Sequence, residues 1–147
     1  MWYAHGEIEI QSAIQNSAYG DRTMNREDFK LIRKKMGKTQ KQLAELLGIS
    51  LKTIHSYEQG WRAVPTHAEK LLYFLYFNQR GRKCSSLRCW EEKLCPVKEQ
   101  CPAWEFDSGH MCWYMSGTLC DCTKDVDEKQ KIEICKSCKI FSKLLNA

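Results

Sequence analysis

The sequence predicts a mainly α-helical protein: a four- to five-helix domain, followed by a small, loop-rich cysteine domain that a metal would stabilise. Three observations carry this. Apolar residues between Asn25 and Phe77 recur at helical spacing and are interrupted by glycines. All nine cysteines fall between Cys84 and Cys138. Charge changes at the same boundary: residues 1–21 carry a net −3, residues 22–83 a net +9 and residues 84–147 a net −1. The 147 residues therefore divide into an extension, 1–24, a helical domain, 25–80, and a cysteine-rich domain, 84–147.

In the extension, a short helix is expected around Ile8 to Ile14. In the helical domain Asn25 is a good N-cap with Asp28 three positions on, and Phe29, Ile32 and Met36 form one face until Gly37 stops the pattern. Thr39 caps a second helix whose inner face is Leu43, Ala44 and Leu47, and Gly48 supplies the tight turn. Ser50 caps a third, with Ile54 and Tyr57 inward and Gly60 at its end. Pro65 suits the first position of a fourth helix, which runs into the string Leu71 to Phe77. That string is apolar on every side and so calls for burial all round. Half of it can seal the domain's own core; the rest needs a second subunit or the cysteine-rich segment.

Two short helices joined by a glycine-containing turn are the geometry of a helix-turn-helix. "TQKQLAELLGISLKTIHSYEQGWRAVP", Thr39 to Pro65, resembles the Xre family of lambda-repressor-like helix-turn-helix domains, and the likeness covers about residues 25–77. The Thr-Gln start, the Leu-Ala pair, the Gly-Ile-Ser turn, the Thr-Ile pair and the Tyr-Glu-x-Gly end occur in order. The resemblance implies a transcription regulator that binds double-stranded DNA as a homodimer, with Thr39 and Gln40 against phosphate and a partly buried ion pair between Glu58 and Arg33.

The residues give an independent reason to expect this. An exposed helix fits the major groove when small and polar side chains near its N-terminus face the base edges. Ser50, Leu51, Lys52, His55 and Ser56 are the solvent-facing candidates on the third helix. Lys52 suits guanine acceptors and Leu51 a thymine methyl. Thr39 and Ser50 also serve as caps whether or not DNA is bound. The +9 middle block suits a polyanion. No apolar run is long enough for a membrane helix, and "MWYAHGEIEIQSAIQNSAYG" is unlike a secretion signal, so a cytoplasmic protein is expected.

In a reducing compartment a dense cysteine cluster favours metal binding over disulfides. The thiols are spaced Cys84-x4-Cys89-x5-Cys95-x5-Cys101-x10-Cys112-x7-Cys120-x-Cys122-x12-Cys135-x2-Cys138. Cys135 and Cys138 can aim two sulfurs at one ion from a single turn. "CWE" at Cys89, Cys95, "CPA" at Cys101, "CW" at Cys112, "GTLC" ending at Cys120, and "CKSC" with Phe141 behind it resemble the two-CW domain, a cysteine-rich module of anaerobic bacteria. That resemblance implies seven metal ligands: Cys89, Cys95, Cys101, Cys112, Cys120, Cys135 and Cys138. Cys84 and Cys122 lie outside its pattern, and the Cys95–Cys101 connection is shorter than the family's usual glycine-rich one.

Seven sulfurs exceed what one zinc ion needs. An iron–sulfur cluster is preferred over Zn2+, although the ferredoxin spacing is absent, because redox chemistry would give this half a state to report. Trp90 and Trp113, each following a cysteine, would form a dry shell or simply the core. His110 is a further conceivable ligand. With no nucleotide loop and no paired acid and base, no enzyme is expected. The expected function is a DNA-binding transcriptional regulator modulated by a metal centre, whose loss or oxidation would shift the helix around Leu71 to Phe77. The alternatives are an antitoxin-type repressor and a redox or electron-transfer protein that uses the helix-turn-helix for docking.

Overall fold

The computed structural model describes residues 24–147, which fall into two compact units, 24–79 and 80–147. The helix expected around Ile8 to Ile14 lies outside the described residues. These are mainly helical and contain no strand, and none of their helices is long and apolar enough to cross a membrane.

Four helices build the first unit: α1 (Arg26–Lys35), α2 (Gln40–Leu47), α3 (Leu51–Gln59) and α4 (Thr66–Gln79). Short side-chain caps define where they start. Asn25 accepts from the Asp28 amide at 2.8 Å, and Ser50 from the Thr53 amide at 3.1 Å. Thr39 forms a reciprocal box with Gln42, Thr39 Oγ1 accepting at 3.1 Å and Gln42 Oε1 returning the bond to the Thr39 amide at 3.0 Å. Gly48 ends α2 at φ 68°, a conformation that would strain any side chain, and its amide satisfies the carbonyls of Ala44 and Glu45. The last helix begins one residue later than expected. Pro65 lies before it, with its carbonyl accepting from Glu69.

The core of this unit comes from one face of each helix. Phe29 and Ile32, Leu43 and Ala44, Ile54 and Tyr57, and Ala68, Leu72 and Tyr73 are all buried. α3 packs on α1 and α2, and α4 on the same two helices. Phe29 meets the Tyr57 ring edge-on, with centroids 5.6 Å apart. Within Leu71–Phe77, Leu72, Tyr73, Tyr76 and Phe77 are buried, while Leu71, Phe74 and Leu75 are half-buried.

A polar lock accompanies this packing. Arg33 on α1 holds the Glu58 carboxylate of α3 with two nitrogens, Nη2 to Oε2 at 3.2 Å, and Gln40 Nε2 at the start of α2 donates to the same Oε2 at 2.8 Å. Arg33 Nη1 also donates to the Lys38 carbonyl at 2.8 Å, in the turn that joins α1 to α2. Glu58 is only 8% exposed, so its charge depends on these partners.

The second unit consists of short helices around a long irregular stretch: α5 (Arg82–Ser85), α6 (Cys89–Glu92), α7 (Pro102–Glu105), α8 (Glu128–Lys136) and α9 (Lys139–Asn146), with 3-10 turns at Lys98–Gln100 and Gly109–Met111. Asp127 caps α8 by accepting from the Gln130 amide at 2.8 Å. The last two helices form a hairpin whose turn contains Cys138. The core is aliphatic as well as aromatic: Ile132 of α8 and Ile140, Phe141, Leu144 and Leu145 of α9 are all buried. Trp113, 2% exposed, stands edge-on to Phe141 at 5.6 Å, and Trp90 edge-on to Trp104 at 4.9 Å. Both tryptophans that follow cysteines are therefore core residues.

Removing the Glu58 carboxylate leaves Arg33 and Gln40 without their shared acceptor. Glu58→Ala is expected to cost about 3 kcal/mol or more in chemical denaturation of the full chain, whereas Glu58→Gln, which retains acceptor capacity, should cost less. Equal losses for the two variants would show that the lock depends on the carboxylate charge and that a neutral acceptor contributes nothing to it.

Candidate nucleic-acid interface and thiol cavity

On the first unit the expected base-reading residues lie on α3. Ser50, Leu51, Lys52 and His55 are exposed, Leu51 at 41%, while Ser56 is half-buried. Not all of their polar groups are open to a ligand. Ser50 Oγ is engaged by the Thr53 amide and lies 2.8 Å from Thr53 Oγ1, and Ser56 Oγ donates to the Lys52 carbonyl at 3.0 Å. Lys52 and His55 are the groups on this face best placed to meet base edges or phosphates. Thr39 is exposed but occupied by its cap, and the Gln40 amide nitrogen, expected against phosphate, is given to Glu58. Trp61, 77% exposed and followed by exposed Arg62, stands immediately beyond the end of α3. The reading from sequence passed over this pair, although a bulky ring beside a cation just after Gly60 was the available signal.

On the second unit the nine cysteines are free thiols, and eight of them line one cavity of about 230 Å³. They are the seven expected ligands, Cys89, Cys95, Cys101, Cys112, Cys120, Cys135 and Cys138, together with Cys122. Pro96, Val97, Ala103 and Leu119 supply much of the apolar wall. Cys84 lies elsewhere, buried with its thiol 3.8 Å from the Leu144 carbonyl. His110 is not among the lining residues either; its carbonyl accepts from the Trp113 indole at 3.0 Å. Sequence spacing also missed Lys93, whose ammonium points into the ring of sulfurs.

The arrangement differs from a closed zinc site. Four sulfurs at about 2.3 Å from one ion stand within about 3.8 Å of one another. Among the described residues no three His, Cys, Asp or Glu side chains converge in that way. The thiols are distributed around the cavity, with Cys120 and Cys122 3.3 Å apart and Cys112 hydrogen-bonded to Cys89. Lys93 Nζ lies 2.8 Å from Cys120 Sγ, 3.6 Å from Cys122 Sγ and 3.7 Å from Cys138 Sγ.

The electrostatics follow from these neighbours. The bond from the Cys112 thiol outweighs the effect of burial and brings Cys89 down to about 7, while the same bond and burial push Cys112 up. Burial lifts Cys135 to about 12. At Lys93, burial opposes the charge, but Cys120 and then Cys138 and Cys122 outweigh it and hold the ammonium above the ordinary lysine range. At Cys120, burial is outweighed in turn by the bonds from Lys93 and Cys122, which favour the thiolate.

Comparison with known proteins bears on the first unit. Residues 29–67 match the helix-turn-helix family. The matched span runs from α1 into the start of α4, and it points to a DNA-binding regulator. No curated protein and no solved structure matches the chain. The family match does not reach residues 84–147, so the likeness of that segment to the two-CW domain rests on its Cys and Trp spacing alone.

Two outcomes are expected of the cavity. In reduced, metal-free protein, alkylation of Cys89 should reach half its maximal rate below the ordinary thiol value of about 8.5, and Cys112→Ala, which removes the donor to the thiolate, should move that midpoint up. An unmoved midpoint in mass-spectrometric labelling would contradict the assigned bond. A side chain on Gly109 would lie 2.7 Å from the Cys89 amide nitrogen and 2.9 Å from Arg88 Cα. Gly109→Ala must therefore shift backbone at the cavity wall, at a cost of about 1–3 kcal/mol, visible as an earlier loss of the tryptophan near-ultraviolet dichroism on heating.

Proposed function

We propose that the chain is a sequence-specific, DNA-binding transcriptional regulator whose cysteine-rich unit carries a sulfur-ligated metal centre. It acts in the cytoplasm by binding rather than by catalysis. The observation that carries the DNA reading is the exposed α3 face of Leu51, Lys52 and His55, on a helix anchored from behind by the Glu58 lock. Fold alone does not settle function, since helix-turn-helix units also serve as protein-docking modules. The +9 charge of residues 22–83 favours duplex DNA as the ligand. We further take the DNA to be bound by a homodimer, because two such readers spaced about one helical turn apart match a two-fold operator. Leu71 and Leu75, half-buried on α4, are the side chains proposed for such an interface.

The donor set of the second unit fits a thiolate-bound centre. Eight thiols face one cavity with an apolar wall, which meets the need for soft ligands and for exclusion of water. Cys89, Cys95, Cys101, Cys112, Cys120, Cys135 and Cys138 are the proposed ligands, with Cys122 added by its position. An iron–sulfur cluster is preferred to one tetrahedral Zn2+ because eight sulfurs exceed what one zinc ion needs. Such a cluster would supply one-electron redox chemistry. The chain's own contribution is to keep that centre dry behind the apolar wall of Pro96, Val97, Ala103 and Leu119.

The DNA reading is tested by fluorescence anisotropy on the promoter of the chain's own gene, against shuffled duplexes over a range of salt. Preference for the promoter, weakening steeply with salt, is expected. Lys52→Ala should lower discrimination roughly 5- to 100-fold at one base position without unfolding the unit. Equal affinity for every duplex would overturn the assignment. Anaerobic purification followed by iron, sulfide and zinc analysis tests the metal reading, and folded protein that takes up no metal would refute it.

A further inference from the structure

One part of the thiol cavity is organised around a charge. Lys93 follows α6 directly, and its backbone amide caps that helix on the Cys89 carbonyl. Its side chain runs to three sulfurs from two other segments: Cys120 and Cys122 of the irregular stretch, and Cys138 just before α9. Among the described residues no carboxylate lies within ion-pair distance of the Lys93 ammonium. A strongly hydrated group on a flexible four-carbon stem would ordinarily stay in water at such an exposed position. Its place among three sulfurs marks a spot where the cage favours a cation.

We infer that Cys120, Cys122 and Cys138 form a three-sulfur seat for a thiophilic d10 cation, and that the Lys93 ammonium occupies this seat until the ion displaces it. The inference rests on the reading that the cysteine-rich unit binds metal through its thiols. It goes beyond that reading by making Lys93 a displaceable internal counter-ion and by giving Cys120, Cys122 and Cys138 to a d10 ion of their own, which leaves Cys89, Cys95, Cys101, Cys112 and Cys135 for the cluster. The seat differs from a finished metal site in size. The sulfurs stand 2.8 to 3.7 Å from the nitrogen, so reaching about 2.3 Å from a zinc-like ion requires them to draw in by about 0.5–1.4 Å. Cys120 and Cys122, 3.3 Å apart, already stand within the separation of two sulfurs on one such ion. Cys122 is exposed, so the seat opens to solvent and an ion can enter as Lys93 swings out. The exchange moves the tethered ammonium into solvent, and the protons lost by the thiols as they coordinate pass to the buffer; no oxidation state changes.

The test uses the full chain, reduced and stripped of metal, with Cd(II) as the probe. Binding is read by sulfur-to-cadmium charge-transfer absorption and by competition with a chromophoric chelator. Wild type and the Cys84→Ser control should bind alike. Cys122→Ser should weaken binding by about tenfold or more, as expected for the loss of a ligand. Lys93→Met should keep the stoichiometry and tighten binding by about tenfold, because no internal cation has to leave. A second measurement needs no variant: Cd(II) loading of wild type should increase acylation of the Lys93 amine by an activated ester, mapped by mass spectrometry. If wild type binds Cd(II) but Cys122→Ser, Lys93→Met and Lys93 acylation are all unaffected, the seat is refuted and the general metal reading stands. If wild type binds no Cd(II), both are refuted.

Discussion

The Glu58 carboxylate is shared by three separate elements of the helix-turn-helix unit. Arg33 reaches it from α1, Gln40 reaches it from the first turn of α2, and α3 carries it. A buried carboxylate with one partner removed is strongly destabilising, so each helix is constrained by the other two. The constraint bears directly on recognition. Glu58 lies on the inward side of α3, and fixing it fixes the rotation of that helix, which determines that Leu51, Lys52 and His55 face outward. Arg33 extends the constraint to the α1–α2 turn through the Lys38 carbonyl. A helix free to roll by one residue would present a different set of side chains to the groove.

This lock also explains the difference between the expected and observed environment of Gln40. The helix start is electrostatically suited to phosphate, but the Gln40 amide nitrogen already serves a buried acceptor. Arg62 and the Trp61 indole, by contrast, are exposed beyond the end of α3.

Legibility from sequence followed the range of the interactions. Caps are local, and Asn25, Thr39, Ser50 and the glycines at 48 and 60 mark the helix ends as expected, because each acts within three or four residues. The pairing of Arg33 with Glu58 spans 25 residues and was accessible only through resemblance to a family. In the cysteine-rich unit the seven cysteines picked out by their spacing all line the cavity, but the spacing did not show how they meet. Cys122 broke the expected pattern and still faces the cavity, and Lys93 had no local signature, because its role comes from three sulfurs 27 to 45 residues away. Backbone geometry adds to the difficulty. Leu94 adopts a positive φ that its side chain disfavours, and Asp107 and Asp125 adopt one that Asp tolerates, so the irregular stretch turns where no glycine announces a turn.

The cysteine-rich unit also has to keep eight thiols around one space, an arrangement that loses dispersion contacts at the cavity and gains repulsion wherever neighbouring sulfurs ionise. Two features offset this without a ligand. The α8–α9 hairpin buries Ile132, Ile140, Phe141, Leu144 and Leu145, each worth about 1.5–3 kcal/mol of transfer free energy, and Trp113 closes over Phe141. Lys93 meanwhile brings one positive charge to Cys120 and Cys122, which lie 3.3 Å apart. The apolar side of the unit therefore has a core of its own beside the cavity. A bound metal would then act mainly on the thiol-bearing loops between α6 and α8, which are the segments with the fewest apolar anchors and so the most able to change between a filled and an unfilled state.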